Sequence, residues 1–255
     1  GMLFKIASVP FHFWAPDVYE GSPALTTALM STLAKVVAIA TLYKLVKSMN
    51  ADISPSFQLV IVIASIASMT VGNIMALRQI NVKRMLAFSG ISHAGFMLMT
   101  LLSTEKSSGT LLYYTSAYAL AGIAAFTVIL YVCKTRENED ITNFHGLGKN
   151  NPLMAAILTA SLLSMAGIPI FGGFFAKLFL FNQTIQAEFI TLVIIAVINS
   201  IISVGYYFKL ILAMYTKEPN EAKIATSKVY YAVAVIAIAL NIALGLFPSF
   251  ILDLL

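Results

Sequence analysis

The chain has 255 residues, of which 59% are hydrophobic and 11% are charged, and its formal net charge at pH 7 is +5. A water-soluble domain carries about 25% charged residues. This composition therefore excludes a water-soluble domain and indicates an integral membrane protein. The length allows about eight spans of roughly 20 residues each. The single cysteine, Cys133, excludes an internal disulfide bond and a CxxC metal site.

The apolar stretches predict an all-α helix bundle of about eight membrane-spanning segments within one membrane domain, residues 1–255. The first segment, residues 1–14, is interrupted at Pro10 and is followed by a polar turn over residues 15–22. The other predicted segments are residues 23–43, 57–77, 85–102, 111–133, 152–186, 189–215 and 227–248. Because the chain begins with Gly1 inside apolar sequence and shows no signal-peptide pattern, we expect it to be the C-terminal part of a longer protein.

The basic residues are distributed unequally between the two sides of the membrane that alternating spans define. Side one holds Arg78, Lys83, Arg84, Lys134, Arg136, Lys149, Lys217, Lys223 and Lys228. Side two holds Lys44, Lys47 and Lys106. The positive-inside rule therefore predicts that side one faces the cytoplasm and that the C-terminus lies on the outer side. Basic residues at span ends with no interleaved aromatic run also argue against nucleic-acid binding.

The sixth segment contains the stretch AGIPIFGGFFAK at residues 166–177. Its helix-breaking residues are Gly167, Pro169, Gly172 and Gly173. Proline removes a backbone donor, and broken backbone survives inside a membrane only against protein or water, so the break predicts a polar cavity. A lysine beside such a break, Lys177, indicates a functional site. The alternative is a kinked helix whose lysine extends towards the membrane surface.

Five basic residues fall inside the predicted spans. Lys5, Lys35, His93 and Lys177 are nine to twelve residues from the nearest interfacial marker, which is roughly 13–18 Å at about 1.5 Å per residue. The hydrocarbon half-thickness is about 15 Å, so these four are predicted near the midplane, whereas Lys209 is closer to an end and is a weaker candidate. Each buried lysine costs at least about 2.5–3.5 kcal/mol, so several at one depth predict a hydrated row that carries protons. The alternative for His93 is a hydrogen bond that packs two helices.

The acidic residues all lie outside the cores of the predicted spans. The buried lysines therefore lack a carboxylate partner in this sequence, and we expect that partner in a preceding segment or in another subunit. The sequence contains no phosphate-binding loop, dinucleotide glycine pattern, nucleophile elbow or cluster of metal ligands. We therefore expect no cofactor and no metal in this chain.

Three ordered motifs resemble those of the antiporter-like membrane subunits of respiratory complex I, the NADH–quinone oxidoreductase. They are FKIASVPFHFWAPDVYEG at residues 4–21, KRMLAFSGISH at residues 83–93 and the stretch at residues 166–177. The resemblance implies an inverted-repeat fold with broken helices and a central axis of lysine and histidine residues. It implies a truncated first repeat over residues 1–50, a complete second repeat over about 55–216, and a final helix over about 227–248.

The resemblance also assigns roles to the four midplane residues. It implies that Lys5 and Lys35 are the lysines of the first half-channel, that Lys177 is the lysine of the second, and that His93 lies between them. NADH, FMN, iron–sulfur clusters and quinone would then be held by partner subunits, in the bacterial inner membrane. The expected function is proton translocation coupled to electron transfer in those other subunits. Two alternatives remain: a subunit of a multi-subunit sodium/proton antiporter or membrane-bound hydrogenase, and a passive scaffold in which the lysines are structural.

Overall fold

The computed structural model describes residues 1–49, 54–103, 107–134, 138–219 and 228–248. Within these ranges the regular structure is helical, apart from one isolated bridge between Asn81 and Asp140. The helices are α1 (Met2–Lys5), α2 (Trp14–Gly21), α3 (Ala24–Ser48), α4 (Pro55–Leu77), α5 (Val82–Leu102), α6 (Ser108–Cys133), α7 (Leu147–Asn150), α8 (Pro152–Ala166), α9 (Gly172–Gln186), α10 (Ile190–Thr216) and α11 (Lys228–Leu246). The predicted all-α fold class is confirmed.

Six of these helices are long and apolar enough to cross a membrane, namely α3, α4, α5, α6, α10 and α11. The helices α8 and α9 follow one another as a discontinuous pair over the predicted sixth segment. Of the predicted first segment, residues 1–14, only the four residues of α1 and the first residue of α2 are helical. Large apolar side chains such as Leu33, Ile63, Ile201 and Ile236 are exposed on the outside of the bundle. An apolar exterior is what a bilayer or neighbouring membrane helices require.

The predicted polar turn over residues 15–22 is wrong, because most of this stretch forms helix α2. Pro16 lies in the first turn of α2, where a proline is tolerated, and Asp17 also lies in that turn, where its charge suits the positive end of the helix dipole. Ala15, Pro16 and Tyr19 are buried, so α2 packs one face against the bundle. Polarity alone therefore misled the prediction.

Helix α5 is the centre of the bundle. It contacts α2, α3, α4, α6, α9 and α10, and apart from Arg84 every one of its residues is buried. A membrane helix that faces lipid cannot carry polar groups cheaply, but one surrounded by protein can hydrogen-bond them to its neighbours. This position explains how α5 accommodates Ser89, Ser92, His93 and Thr100 in its interior.

Helices α4 and α5 approach each other closely through small residues. An added Cβ at Gly72 would lie 2.7 Å from both the Phe88 carbonyl oxygen and the Ser92 nitrogen. An added Cβ at Gly95 would lie 2.8 Å from the Ser65 carbonyl oxygen. In a membrane, where helices gain little from the hydrophobic effect, such close packing is a main source of association.

Ion pairs form between residues at the side-one end of the bundle. Arg84 lies 2.6 Å from both Asp17 and Glu20 of α2, and Lys149 lies 2.6 Å from Glu218. A pairing of this kind requires the partners to be at the same end of the bundle, which supports the predicted alternation of the spans. Lys106, Arg136 and Lys223, which also entered the predicted distribution, lie outside the described residues, as do the repeat boundaries at residues 50 and 227. The division into a truncated repeat, a complete repeat and a final helix stays a prediction.

Replacing Gly72 with alanine should destabilise the bundle by about 1–3 kcal/mol, because the new methyl group meets backbone atoms that cannot rotate away. Gly205→Ala is the matched control, since its Cβ would meet only the end of the Leu77 side chain, at 3.0 Å. The measurement is the thermal unfolding midpoint of the detergent-purified full-length proteins. Equal midpoints for the two variants would contradict close α4–α5 packing as a source of stability.

Candidate functional site

The discontinuous segment is built by an early end to α8. Helix α8 ends at Ala166, Gly167 adopts a left-handed conformation with φ of 88°, and the Ile168 amide donates to the Leu163 carbonyl at 3.0 Å. This is a Schellman-type helix end, which favours glycine because it has no Cβ. Helix α9 then begins at Gly172. At Gly173 an added Cβ would overlap the Ser164 carbonyl oxygen, so the two half-helices touch there.

Lys177 uses the backbone that this break leaves free. Its ammonium donates to the Ala166 carbonyl at 2.8 Å and to the Ser200 hydroxyl of α10 at 2.8 Å, and it lies 5.1 Å from the centre of the Phe96 ring. Ala166 is the last residue of α8, where carbonyl groups lack helical partners and the helix dipole is negative. The buried cation, only 5% exposed, is therefore stabilised by a helix end and an aromatic face.

Lys35 of α3 is held by a backbone carbonyl of α5. It directly follows a π-helical turn over Met30–Ala34, an irregularity that is frequent at functional sites. Its ammonium donates to the Gly90 carbonyl of α5 at 2.7 Å. An added Cβ at Gly90 would lie 2.7 Å from the Lys35 Nζ and 3.1 Å from the Tyr118 hydroxyl, so both groups border the space that this glycine leaves empty.

His93 lies between the two lysines, one turn beyond Gly90 on α5. Its Nδ1 is 2.9 Å from the Tyr114 hydroxyl and its Nε2 is 3.3 Å from the Tyr207 hydroxyl. His93 and Lys177 line one small cavity of about 10 Å³, which is about the smallest volume that admits a water molecule. The cavity is also lined by Tyr114 and Tyr118, so polar groups are available to bind such a water.

No ion pair of Lys35 or Lys177 occurs within the part of the chain that the structure describes. The described acidic residues lie in α2 or in the connections between helices: Asp17, Glu20, Glu139, Asp140, Glu188 and Glu218. Asp52, Glu105, Glu137, Glu221 and Asp253 lie outside the described residues. Carbonyl, hydroxyl and aromatic groups therefore provide the described environment of both ammonium groups. Across those same ranges, no group of three or more His, Cys, Asp or Glu side chains is placed to hold a metal ion.

The structure brings together three of the five predicted residues and not the other two. Lys5, at the end of α1, is exposed and lines a groove of about 620 Å³ together with Trp14 and residues of α3. Pro10 lies in the non-helical stretch between α1 and α2. Lys209 is exposed and donates to the Gln79 carbonyl at 3.0 Å, at the side-one end of α4, so its side chain reaches towards the membrane surface.

Three tyrosines that were not among the predicted site residues surround His93. Tyr114, Tyr118 and Tyr207 are all buried, and each places its ring or hydroxyl against the imidazole. A tyrosine is apolar enough to read as part of a span, so hydropathy alone conceals it. An inventory of hydroxyl groups near the midplane of each span would have found them.

The chain is similar to known proteins over nearly its whole length. The family of NADH:quinone oxidoreductase/Mrp antiporter transmembrane proteins matches residues 1–203. NADH-quinone oxidoreductase subunit N of Flavobacterium johnsoniae is 76% identical over the whole chain and 57% of its own length. The subunit N of Cytophaga hutchinsonii is 43% identical over 98% of the chain and 55% of its own length. The chain thus spans a little over half the length of these relatives.

Solved structures give the same fold. A chain of respiratory complex I from Thermus thermophilus with bound aureothin aligns with a TM-score of 0.89 and 32% identity, over 99% of this chain and 56% of that one. A chain of the Mrp complex from Dietzia sp. DQ12-45-1b aligns with a TM-score of 0.87 and 23% identity, over 99% and 56%. The second likeness shows the fold alone.

Replacing Lys177 with methionine should leave the thermal stability of the protein unchanged or raise it, because it removes a buried ammonium that has no described carboxylate partner. Lys83→Met is the matched comparison. Lys83 is 2% exposed and lies 2.8 Å from Glu139, so its loss leaves a partly buried carboxylate unpaired and should cost about 3 kcal/mol. Unfolding midpoints of the two purified variants test this. A larger loss for Lys177→Met than for Lys83→Met would mean that Lys177 is a structural residue.

Proposed function

The chain belongs to the family of NADH:quinone oxidoreductase/Mrp antiporter transmembrane proteins, and we propose that it is part of a proton-translocating membrane-arm subunit of a bacterial NADH–quinone oxidoreductase. The observation that carries the proposal is the row of Lys35, His93 and Lys177. These three basic groups lie on three different helices, are buried, and have no ion pair in the described chain. Stability alone gives no reason to place them there.

Each member of the row has a neighbour that can take part in proton transfer. The Lys35 ammonium and the Tyr118 hydroxyl border the same space at Gly90, and the Tyr118 ring centre lies 4.8 Å from that of His93. His93 in turn shares the small cavity with Lys177. A proton taken up by Lys35 from side one would pass through His93 to the Lys177 Nζ, with a water in the cavity as the carrier between them. Lys177 would then release it to side two.

The orientation and the partners are part of the same proposal. Side one, which carries most of the basic residues, would face the cytoplasm, and the C-terminus would face the outside of the bacterial inner membrane. Electron transfer would take place in other subunits that hold NADH, FMN, iron–sulfur clusters and quinone, and it would change the state of this one. The subunit N names of the relatives favour this reading over the sodium/proton antiporter or hydrogenase alternative.

Lys177→Met in the full-length protein should lower the number of protons translocated per NADH oxidised, because methionine fills the site but cannot bind a proton. The measurement is proton uptake by proteoliposomes that contain the assembled complex, divided by NADH oxidation. Lys44→Met is the control, since Lys44 is exposed on side two at the end of the same helix that carries Lys35. Wild-type stoichiometry in Lys177→Met would contradict the proposed function and favour the scaffold alternative.

Gly90→Ala should also impair translocation, although glycine itself has no proton to give. The added methyl group would lie 2.7 Å from the Lys35 Nζ, so the ammonium must leave the Gly90 carbonyl and the neighbourhood of Tyr118. Gly205→Ala, in another membrane helix, serves as the control because its methyl group meets only the end of Leu77. The same proteoliposome assay applies. Unchanged translocation in Gly90→Ala would show that the position of the Lys35 ammonium is unimportant.

A further inference from the structure

Tyr207 of α10 contacts His93 on the face that is turned away from the cavity. Its hydroxyl lies 3.3 Å from the His93 Nε2 and also forms a hydrogen bond with the Ser89 hydroxyl. Tyr114, which contacts the other ring nitrogen, lines the cavity with Lys177, whereas Tyr207 and Ser89 do not. The two nitrogens of the imidazole therefore face two different polar surroundings.

Ser89 and His93 are four residues apart on α5, so they share one face of the helix and Tyr207 bridges them. Ser89 lies seven residues after Val82, the first residue of α5, and therefore nearer to side one than His93 does. Ser89, Tyr207 and His93 thus form a continuous hydrogen-bonded chain that leads from the side-one half of the bundle to the imidazole. This chain does not include Lys35, whose ammonium bonds to Gly90.

We propose that Ser89 and Tyr207 form a second proton-uptake route to His93, parallel to the route through Lys35. This second route rests on the proposed function. Ser89 and Tyr207 have no role in the route through Lys35 that the proposed function describes. A hydroxyl group can accept one proton while it donates another, so it relays without holding a charge. As the Tyr207 hydroxyl gives its proton to the His93 Nε2, it takes one from the Ser89 hydroxyl. Ser89 is reprotonated in turn by a protonated water molecule that enters from side one, and the Nδ1 proton leaves to the Tyr114 hydroxyl and the cavity. One proton enters, one leaves, and the histidine ends as the other neutral tautomer.

The neighbouring Tyr206 provides a matched control. It is also buried, on the same helix, and its hydroxyl donates to the Asn73 side chain of α4 at 3.0 Å. Asn73 in turn donates to Asn199 of α10, so this hydrogen-bonded cluster joins helices. The Tyr206 side chain also adjoins the relay, since it interacts with Tyr207 and Ser89 and the two tyrosine ring centres lie 4.4 Å apart. Tyr206→Phe therefore removes a hydroxyl beside the relay and leaves each relay hydroxyl in place, whereas Tyr207→Phe removes the one that contacts His93.

The test compares Tyr207→Phe, Tyr206→Phe, Lys35→Met and the double variant Lys35→Met/Tyr207→Phe in the assembled complex, with Lys177→Met as the floor. A positioned proton-transfer group accelerates its step by roughly 10²–10⁴-fold, so a route without its hydroxyl should carry a negligible share. We expect Tyr207→Phe and Lys35→Met each to keep part of the protons translocated per NADH, and the double variant to fall to the floor. Tyr206→Phe should translocate as the wild type does.

Thermal unfolding midpoints of the two phenylalanine variants distinguish a relay role from a packing role. If both hydroxyls only join helices, both substitutions should change the midpoint by similar amounts and neither should lower translocation by itself. Wild-type translocation in Tyr207→Phe would overturn the inference, as would an equal loss in Tyr206→Phe or a double variant no lower than Lys35→Met alone. Those results would leave the proposed function standing if Lys177→Met still translocates fewer protons per NADH than the wild type. Wild-type translocation in Lys177→Met would overturn the proposed function itself.

Discussion

The site depends on one constraint: among the described residues, no carboxylate forms an ion pair with either of the two buried ammonium groups, Lys35 and Lys177. An ammonium ion in a membrane interior must be stabilised by something, and here backbone oxygen atoms provide most of that stabilisation. Lys177 obtains its carbonyl because α8 ends at Ala166, in the middle of the bundle. Lys35 obtains its carbonyl because Gly90 has no side chain to keep the amine away. The break after α8 and the glycine at position 90 thus each give a buried ammonium group access to a backbone carbonyl oxygen.

The same constraint explains why α5 occupies the centre. A helix with two serines, two glycines and a histidine in its middle turns would be costly to expose to lipid, and α5 avoids this because protein covers all its faces. Close approach to α4 through Gly72 and Gly95 leaves the opposite faces of α5 free to meet the tyrosines of α6 and α10. Small residues on one face therefore make room for polar chemistry on the others.

Hydropathy and helix-breaking residues were enough to predict the six long spans, the break near Gly167 and the burial of Lys35, His93 and Lys177. Each of these follows from the chain's local composition and from distance along a helix. Lys5, by contrast, has the same predicted depth but is exposed, because burial depends on which helices cover a residue. Helix α2 was missed for a similar reason, since its polar sequence folds against α5 with Tyr19 buried. The tyrosines around His93 come from helices far apart in the sequence, and no local pattern in the chain joins them.

Charge repulsion limits what such a row can do. Lys35, His93 and Lys177 are all cationic when protonated. Because none of the described carboxylates forms an ion pair with the row, a second charge in the row is repelled by the first. A row of this kind suits one proton at a time, passed on as the next arrives. Neutral hydroxyl groups add proton carriers to it without adding charge. The tyrosines at both nitrogens of His93 therefore extend the row in a way that further lysines would not, and the directions in which they extend it are set by the packing of α6 and α10 against α5.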